Sequence, residues 1–117
     1  MLPQKYRLSK TEFKKVLQTG KSIHNDYFVL LYRSDTILST PKVGFVVSLK
    51  VGKKATQRNR AKRLLREAAR SKLPKLKQNI QIVLIAKKKL LELDIKQIQV
   101  SLNQAFDRTQ ILKPAED

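Results

Sequence analysis

Between Lys50 and Lys77 the chain places twelve lysines and arginines against one acid, Glu67, so this stretch holds eleven of the seventeen net positive charges. Arginine dominates its centre, with five arginines to one lysine from Arg58 to Arg70. A guanidinium is planar and permanently charged, and its fork suits bidentate contact with phosphate and stacking on bases. Such a set recognises a polyanion; it does not break bonds. The groups that would break bonds are scarce. There is no cysteine, which removes thiolate metal sites and cysteine nucleophiles, and the nine acids are scattered. A two-metal nuclease needs several converging carboxylates. His24, the single histidine, reads as a loop or strand-edge residue, and Gly20, Gly44 and Gly52 are too isolated to form a phosphate-cradling loop.

The element that carries the charge is a helix. From Thr56 to Lys72 the apolar residues Ala61, Leu64, Leu65, Ala68 and Ala69 recur at helical spacing. With Ala61 at zero on a helical wheel, they span about 300° to 80°, whereas Arg60, Lys62, Arg63, Arg66, Arg70 and Asn59 span about 100° to 260°. One face enters a core and the other is a cationic ridge. Lys62 with Arg66, and Arg66 with Arg70, are like charges four residues apart, a few tenths of a kcal/mol unfavourable each unless an external anion relieves them. Arg58 falls at the apolar border, near about 60°, and is expected to point toward the sheet. Asn59 either helps order the first helical turn or bonds a base.

Other elements frame this helix. Ser9 followed by Glu12 reads as a capping box and Leu8 with Phe13 as a hydrophobic staple, so a first helix starts at Ser9 and ends at Gly20. Tyr27 to Tyr32 and Val43 to Leu49 read as two strands, antiparallel to one another. Ile80 to Ala86 is a third strand, and Leu91, Ile95, Ile98, Leu102, Ala105 and Phe106 mark one stripe of a last helix. Pro114 and two acids in the tail after Leu112 predict a loose end. The expected fold is α+β, one domain over residues 1–117 with a small sheet, packed helices and the order α-β-β-α-β-α.

With 26 Lys plus Arg against 9 Asp plus Glu, a compact body repels itself unless a polyanion sits against it. The 41% hydrophobic content supports a folded core rather than a basic tail. The start lacks the apolar stretch of a secretory signal, and no run reaches the roughly 18 apolar residues of a membrane span. A cytoplasmic protein with no membrane partner is expected.

The block Lys50 to Arg70, with Arg58-Asn59-Arg60 at its centre, resembles the Arg-Asn-Arg motif of the bacterial ribonuclease P protein family. Arg7-Leu8 with Glu12-Phe13, and Val43-Gly44 through Ser48, are similar to that family's opening helix and its strand before the motif. Two departures stand out. The spacing from Gly52 to Arg58 is one residue longer than the family's commonest, and Leu17 occupies a place that often holds a second aromatic.

The resemblance implies a ribonuclease P protein-like fold with a left-handed βαβ crossover, against the usual hand. It implies an accessory subunit of an endoribonuclease that removes the 5′ leader of precursor tRNA. The catalytic RNA would hold the Mg2+ ions, and the protein alone would bind no cofactor. Partners would be that RNA, in a 1:1 complex, and precursor tRNA. Arg60, Lys62, Arg63, Arg66, Arg70 and Asn59 would contact the catalytic RNA. Phe13, Arg58, Lys50, Lys53 and Tyr32 would line a cleft for the single-stranded leader, since sequence-tolerant single-strand binding combines cationic grooves with aromatic faces. Tyr27, Phe28 and Phe45 are further aromatic candidates, and alternation sends Tyr27 and Phe28 to opposite faces.

Other binding modules compete. A ribosomal or other structural RNA-binding protein would share the ridge. A helix-turn-helix DNA binder would need a second helix where Ile80 to Ala86 reads as a strand, and a membrane-surface helix would need aromatics on an apolar face that here is rich in alanine.

Overall fold

The computed structural model describes residues 4–34 and 40–111, and the tail expected to be loose lies outside them. Helix α1 (Lys10–Thr19) is closed at both ends as its sequence predicts. The Ser9 hydroxyl accepts from the Glu12 amide at 3.2 Å, Glu12 Oε1 accepts from the Ser9 amide at 2.9 Å, and the Gly20 amide donates to Val16 O at 2.9 Å. Gly20 has no room for a side chain, because a Cβ there would lie 2.5 Å from the Val16 carbonyl oxygen.

Four strands follow the order β1 (Lys21–His24), β2 (Phe28–Ser34), β4 (Ile80–Ala86), β3 (Lys42–Val46) across one sheet. β1 and β2 form an antiparallel hairpin whose turn is held by Asn25 Oδ1, which accepts from the amides of Tyr27 and Phe28. The first of these strands is an addition to the expected order. Its four residues are too few for an alternation pattern, although Asn25-Asp26 is a turn signal.

The two strands expected to be antiparallel neighbours are separated. β4 lies between them, antiparallel to β2 and parallel to β3. The reason is hydrophobicity. Ile80–Ala86 is apolar at every position but Gln81 and is buried on both faces, so it takes a central place, as strands covered on two sides do. The β3 strand also stops at Val46, short of the expected Leu49, because Ser48 to Val51 forms a turn that leaves Leu49 69% exposed.

Helix α2 (Ala55–Arg70) joins β3 to β4, so β3–α2–β4 is a parallel crossover unit. Helix α3 (Ile95–Thr109) opens on a capping box of Asp94 and Gln97 and packs beside α2. Phe28 and Leu30 of β2, Val43 of β3 and Ile80, Ile82, Leu84 and Ala86 of β4 face these two helices, meeting Ala61, Leu65, Ala68 and Ala69 of α2 and Ile98, Leu102 and Phe106 of α3. On the opposite face α1 lays its buried Val16 against β2 and β4. The sheet is therefore sandwiched between α1 and the α2–α3 pair.

Candidate nucleic-acid interface

The wheel reading of α2 matches its burial: Ala61, Leu65, Ala68 and Ala69 are buried, whereas Asn59, Arg60, Lys62, Arg63 and Arg70 are exposed. The ridge is not uniform. Arg70 pairs with Glu67 at 3.4 Å, an exposed i,i+3 contact worth little. Lys62 and Arg66 instead turn toward the outer edge of β3, part of which Arg7 covers through a parallel bridge to Val43. There, with Arg7, Leu8, Phe13, Val43, Gly44 and Phe45, they line a cleft of about 300 Å³. Arg66 is half-buried, and its Nε–H is enclosed without a hydrogen-bond partner among the described residues.

Phe13 forms one wall of this cleft, on the α1 side. Its ring covers Gly44, and a Cβ at Gly44 would stand 2.9 Å from two ring carbons and 3.2 Å from Leu8. The bare backbone at Gly44 is what lets α1 approach β3 so closely. Leu17, one turn on from Phe13, is 46% exposed on the outer side of α1, beside Lys10 and Lys14.

Other expected cleft residues are placed elsewhere. Arg58 does not enter the cleft: its guanidinium donates to the carbonyls of Gly52, at 2.9 Å, and Lys53, at 2.8 Å, and so braces the turn into α2. The wheel gives the direction of its Cβ, but a stem of three methylenes lets the guanidinium bend back to carbonyls of the preceding turn. Lys50 and Lys53 line a separate recess with Leu49, Lys54, Gln57 and Lys88. Tyr32 points to the α2–α3 side of the sheet, in line with Phe28 and Leu30 and away from Phe13. Tyr27 and Phe28 pack with that same core, as does Phe45, which also lines the cleft with Phe13.

Beneath α1, three register partners form a polar row across the sheet: Arg33 on β2, Gln81 on β4 and Lys42 on β3. Arg33 donates to Gln81 Oε1 at 2.9 Å, and Gln81 Nε2 donates to Glu12 Oε2 at 3.2 Å. Lys42 Nζ meets Glu12 Oε1 at 3.2 Å. Gln81 is fully buried, and as the one polar residue of an apolar strand it was visible in the sequence without its partner being so.

Burial alone would raise the Glu12 pKa, but the bonds from the Ser9 backbone and hydroxyl, with the hydrogen bond and charge of Lys42, outweigh it and hold the carboxyl below its ordinary 4.5. A group depressed on folding contributes stability above its unfolded value and loses it as pH falls through the folded one. The stability difference between wild type and Glu12→Gln, followed by urea melts, is therefore expected to be full near pH 6 and to shrink steadily below pH 4.5. A difference that stayed constant down to pH 3 would show that the Glu12 charge does not contribute.

Among the described residues no group of three His, Cys, Asp or Glu side chains is placed to hold a metal ion, and no helix is long and apolar enough to cross a membrane. The arrangement offers an outward cationic ridge on α2 and, around the β3 edge, a cleft with cations on one wall and an aromatic ring on the other.

Known proteins share this fold and much of this sequence. The chain is 34% identical over 111 residues to the "Ribonuclease P protein component" of Caldanaerobacter subterraneus subsp. tengcongensis, covering 94% of each chain. It is 40% identical over 100 residues to the protein of that name from Nitratiruptor sp., covering 86% and 87%. The fold superposes on the RNase P protein of Staphylococcus aureus with a TM-score of 0.80 at 26% identity, over 92% of this chain and 98% of that one. For the RNase P protein of Thermotoga maritima the TM-score is 0.74 at 34% identity, over 87% and 96%. The Ribonuclease P family model matches residues 2–110, and the chain belongs to the ribonuclease P protein family.

Proposed function

We propose that the protein is the RNA-binding subunit of ribonuclease P, acting in the cytoplasm with one copy of a catalytic RNA to remove the 5′ leader of precursor tRNA. The bond-breaking centre, with its Mg2+, belongs to the RNA, and the protein contributes binding. Family membership supports the role. The single observation that carries the mechanism is the cleft in which Phe13 faces Lys62 and Arg66.

A leader is single-stranded, and its backbone can follow the two cations while a base stacks on the ring. Base–aromatic stacking contributes about 1–3 kcal/mol and tolerates any sequence, as a protein serving many precursors requires. Arg60, Arg63 and Asn59, exposed on the other flank of α2, are left for the catalytic RNA. The lysine recess around Lys50, Lys53 and Lys54 lies at the N-terminal end of the same helix and extends the cationic surface.

The test is reconstitution with the catalytic RNA and comparison of affinities for precursor and mature tRNA. The wild-type protein is expected to tighten precursor binding selectively, and Phe13→Ala to lose roughly tenfold of that preference, the value of one stacked base. A protein that tightened both tRNAs equally would be a general RNA-binding subunit, and the leader reading would fall.

A further inference from the structure

We infer that Glu12 is a positioning residue for the cleft: one carboxylate ties the N-terminus of α1 to β3 and β4 directly, and to β2 through Gln81, and thereby sets where the Phe13 ring stands. The inference rests on the leader reading of that cleft.

Helix α1 has a thin apolar attachment, since Val16 is its one fully buried residue. Its seat on the sheet is settled by polar contacts at its first turn. Glu12 Oε1 takes the Ser9 amide and the Lys42 ammonium, and Glu12 Oε2 takes the amide of Gln81, which is itself held by Arg33. A buried amide such as Gln81 costs stability unless both its ends are bonded, so the row has little freedom to choose another partner. Phe13 is the next residue along, pressed against Gly44 with no slack, so a shift of the α1 start moves the ring.

Capping alone does not account for a glutamate here. At the same third position α2 uses Gln57, which accepts from the Lys54 amide at 3.3 Å, and α3 uses Gln97, which accepts from the Asp94 amide at 2.9 Å. A glutamine caps as well as a glutamate. What glutamine lacks is the second accepting oxygen and the charge, the two features that Gln81 and Lys42 engage.

The experiment uses the full chain with para-fluorophenylalanine at position 13, in wild type, Glu12→Gln and Lys42→Met. Glu12→Gln keeps the cap, and Lys42→Met removes only the ammonium that shares Oε1 with it, so helix content by circular dichroism should stay unchanged in both. Fluorine NMR of the free protein is expected to show a shifted or broadened resonance in both variants. In holoenzymes without the label, both are expected to lose roughly three- to tenfold of the preference for precursor over mature tRNA. An unmoved resonance in both variants overturns the inference, as does an unchanged preference under conditions where Phe13→Ala lowers it. The fluorine measurement needs no RNA. If Phe13→Ala left the preference intact, the leader reading would fall while the resonance still decided whether Glu12 places the ring.

Discussion

Replacing Arg60 and Arg63 together by alanine is expected to lower the salt slope of binding to the catalytic RNA by about one unit per arginine and to weaken binding roughly ten- to hundredfold at low salt. Both side chains are exposed on α2, away from the cleft, and neither is engaged by a carboxylate among the described residues. Each phosphate contact releases condensed counterions, which is why the slope counts contacts independently of sequence. Arg70 is a poorer choice, because Glu67 already occupies it. The contrasting pair is Lys62 and Arg66. Their removal is expected to act on the preference for precursor tRNA and to change the slope for the catalytic RNA less, since both line the cleft with Phe13. Equal effects of the two pairs on both measurements would merge ridge and cleft into one surface.

Leu65→Ala should be the most damaging single change on α2, costing about 2–5 kcal/mol and lowering the thermal midpoint by roughly 10–20 °C. Leu65 is fully buried in the core that α2 shares with the sheet and α3, and truncation leaves a cavity that a packed interior closes only partly. A chain of net charge +17 starts with self-repulsion and has little margin. Saturating catalytic RNA should recover much of the loss, because a ligand that binds only the folded state stabilises it, by about 2.7 kcal/mol at a hundred times its Kd. Arg63→Ala should show the reverse pattern, with an unchanged midpoint and a weakened response to RNA. Thermal melts with and without RNA separate the two, and a midpoint for Leu65→Ala within about 3 °C of wild type would place α2 outside the cooperative core.

Features that depend on neighbours in the chain are legible in the sequence. The two-sided character of α2 follows from helical periodicity alone, and Ala61, Leu65, Ala68 and Ala69 are buried as that period requires. The Ser9–Glu12 box, the Gly20 stop and strand β4 from Ile80 to Ala86 are equally local. The Asp94–Gln97 box is just as local, and it starts α3 at Ile95, four residues after the apolar stripe begins at Leu91. The composition of the cleft was only half legible. Of the candidates for a cleft, Phe13 lines the pocket at β3; Lys62 and Arg66, which the wheel puts on the ridge, line it too, and Arg58 does not.

By itself, then, the sequence determined a cationic helix with one face for a core and one for an anion, because side-chain period and charge are properties of consecutive residues. Only the tertiary structure decided which strand stands beside which, since pairing depends on burial over the whole sheet, and β4 displaced the expected contact between β2 and β3. Only the structure divided the arginines and lysines of α2 between ridge, cleft and brace. A wheel gives the direction of a Cβ, whereas the head of a long side chain goes where carbonyls, an edge strand or an aromatic ring receive it, as Arg58 went to Gly52 and Lys53 and Arg66 to the edge of β3.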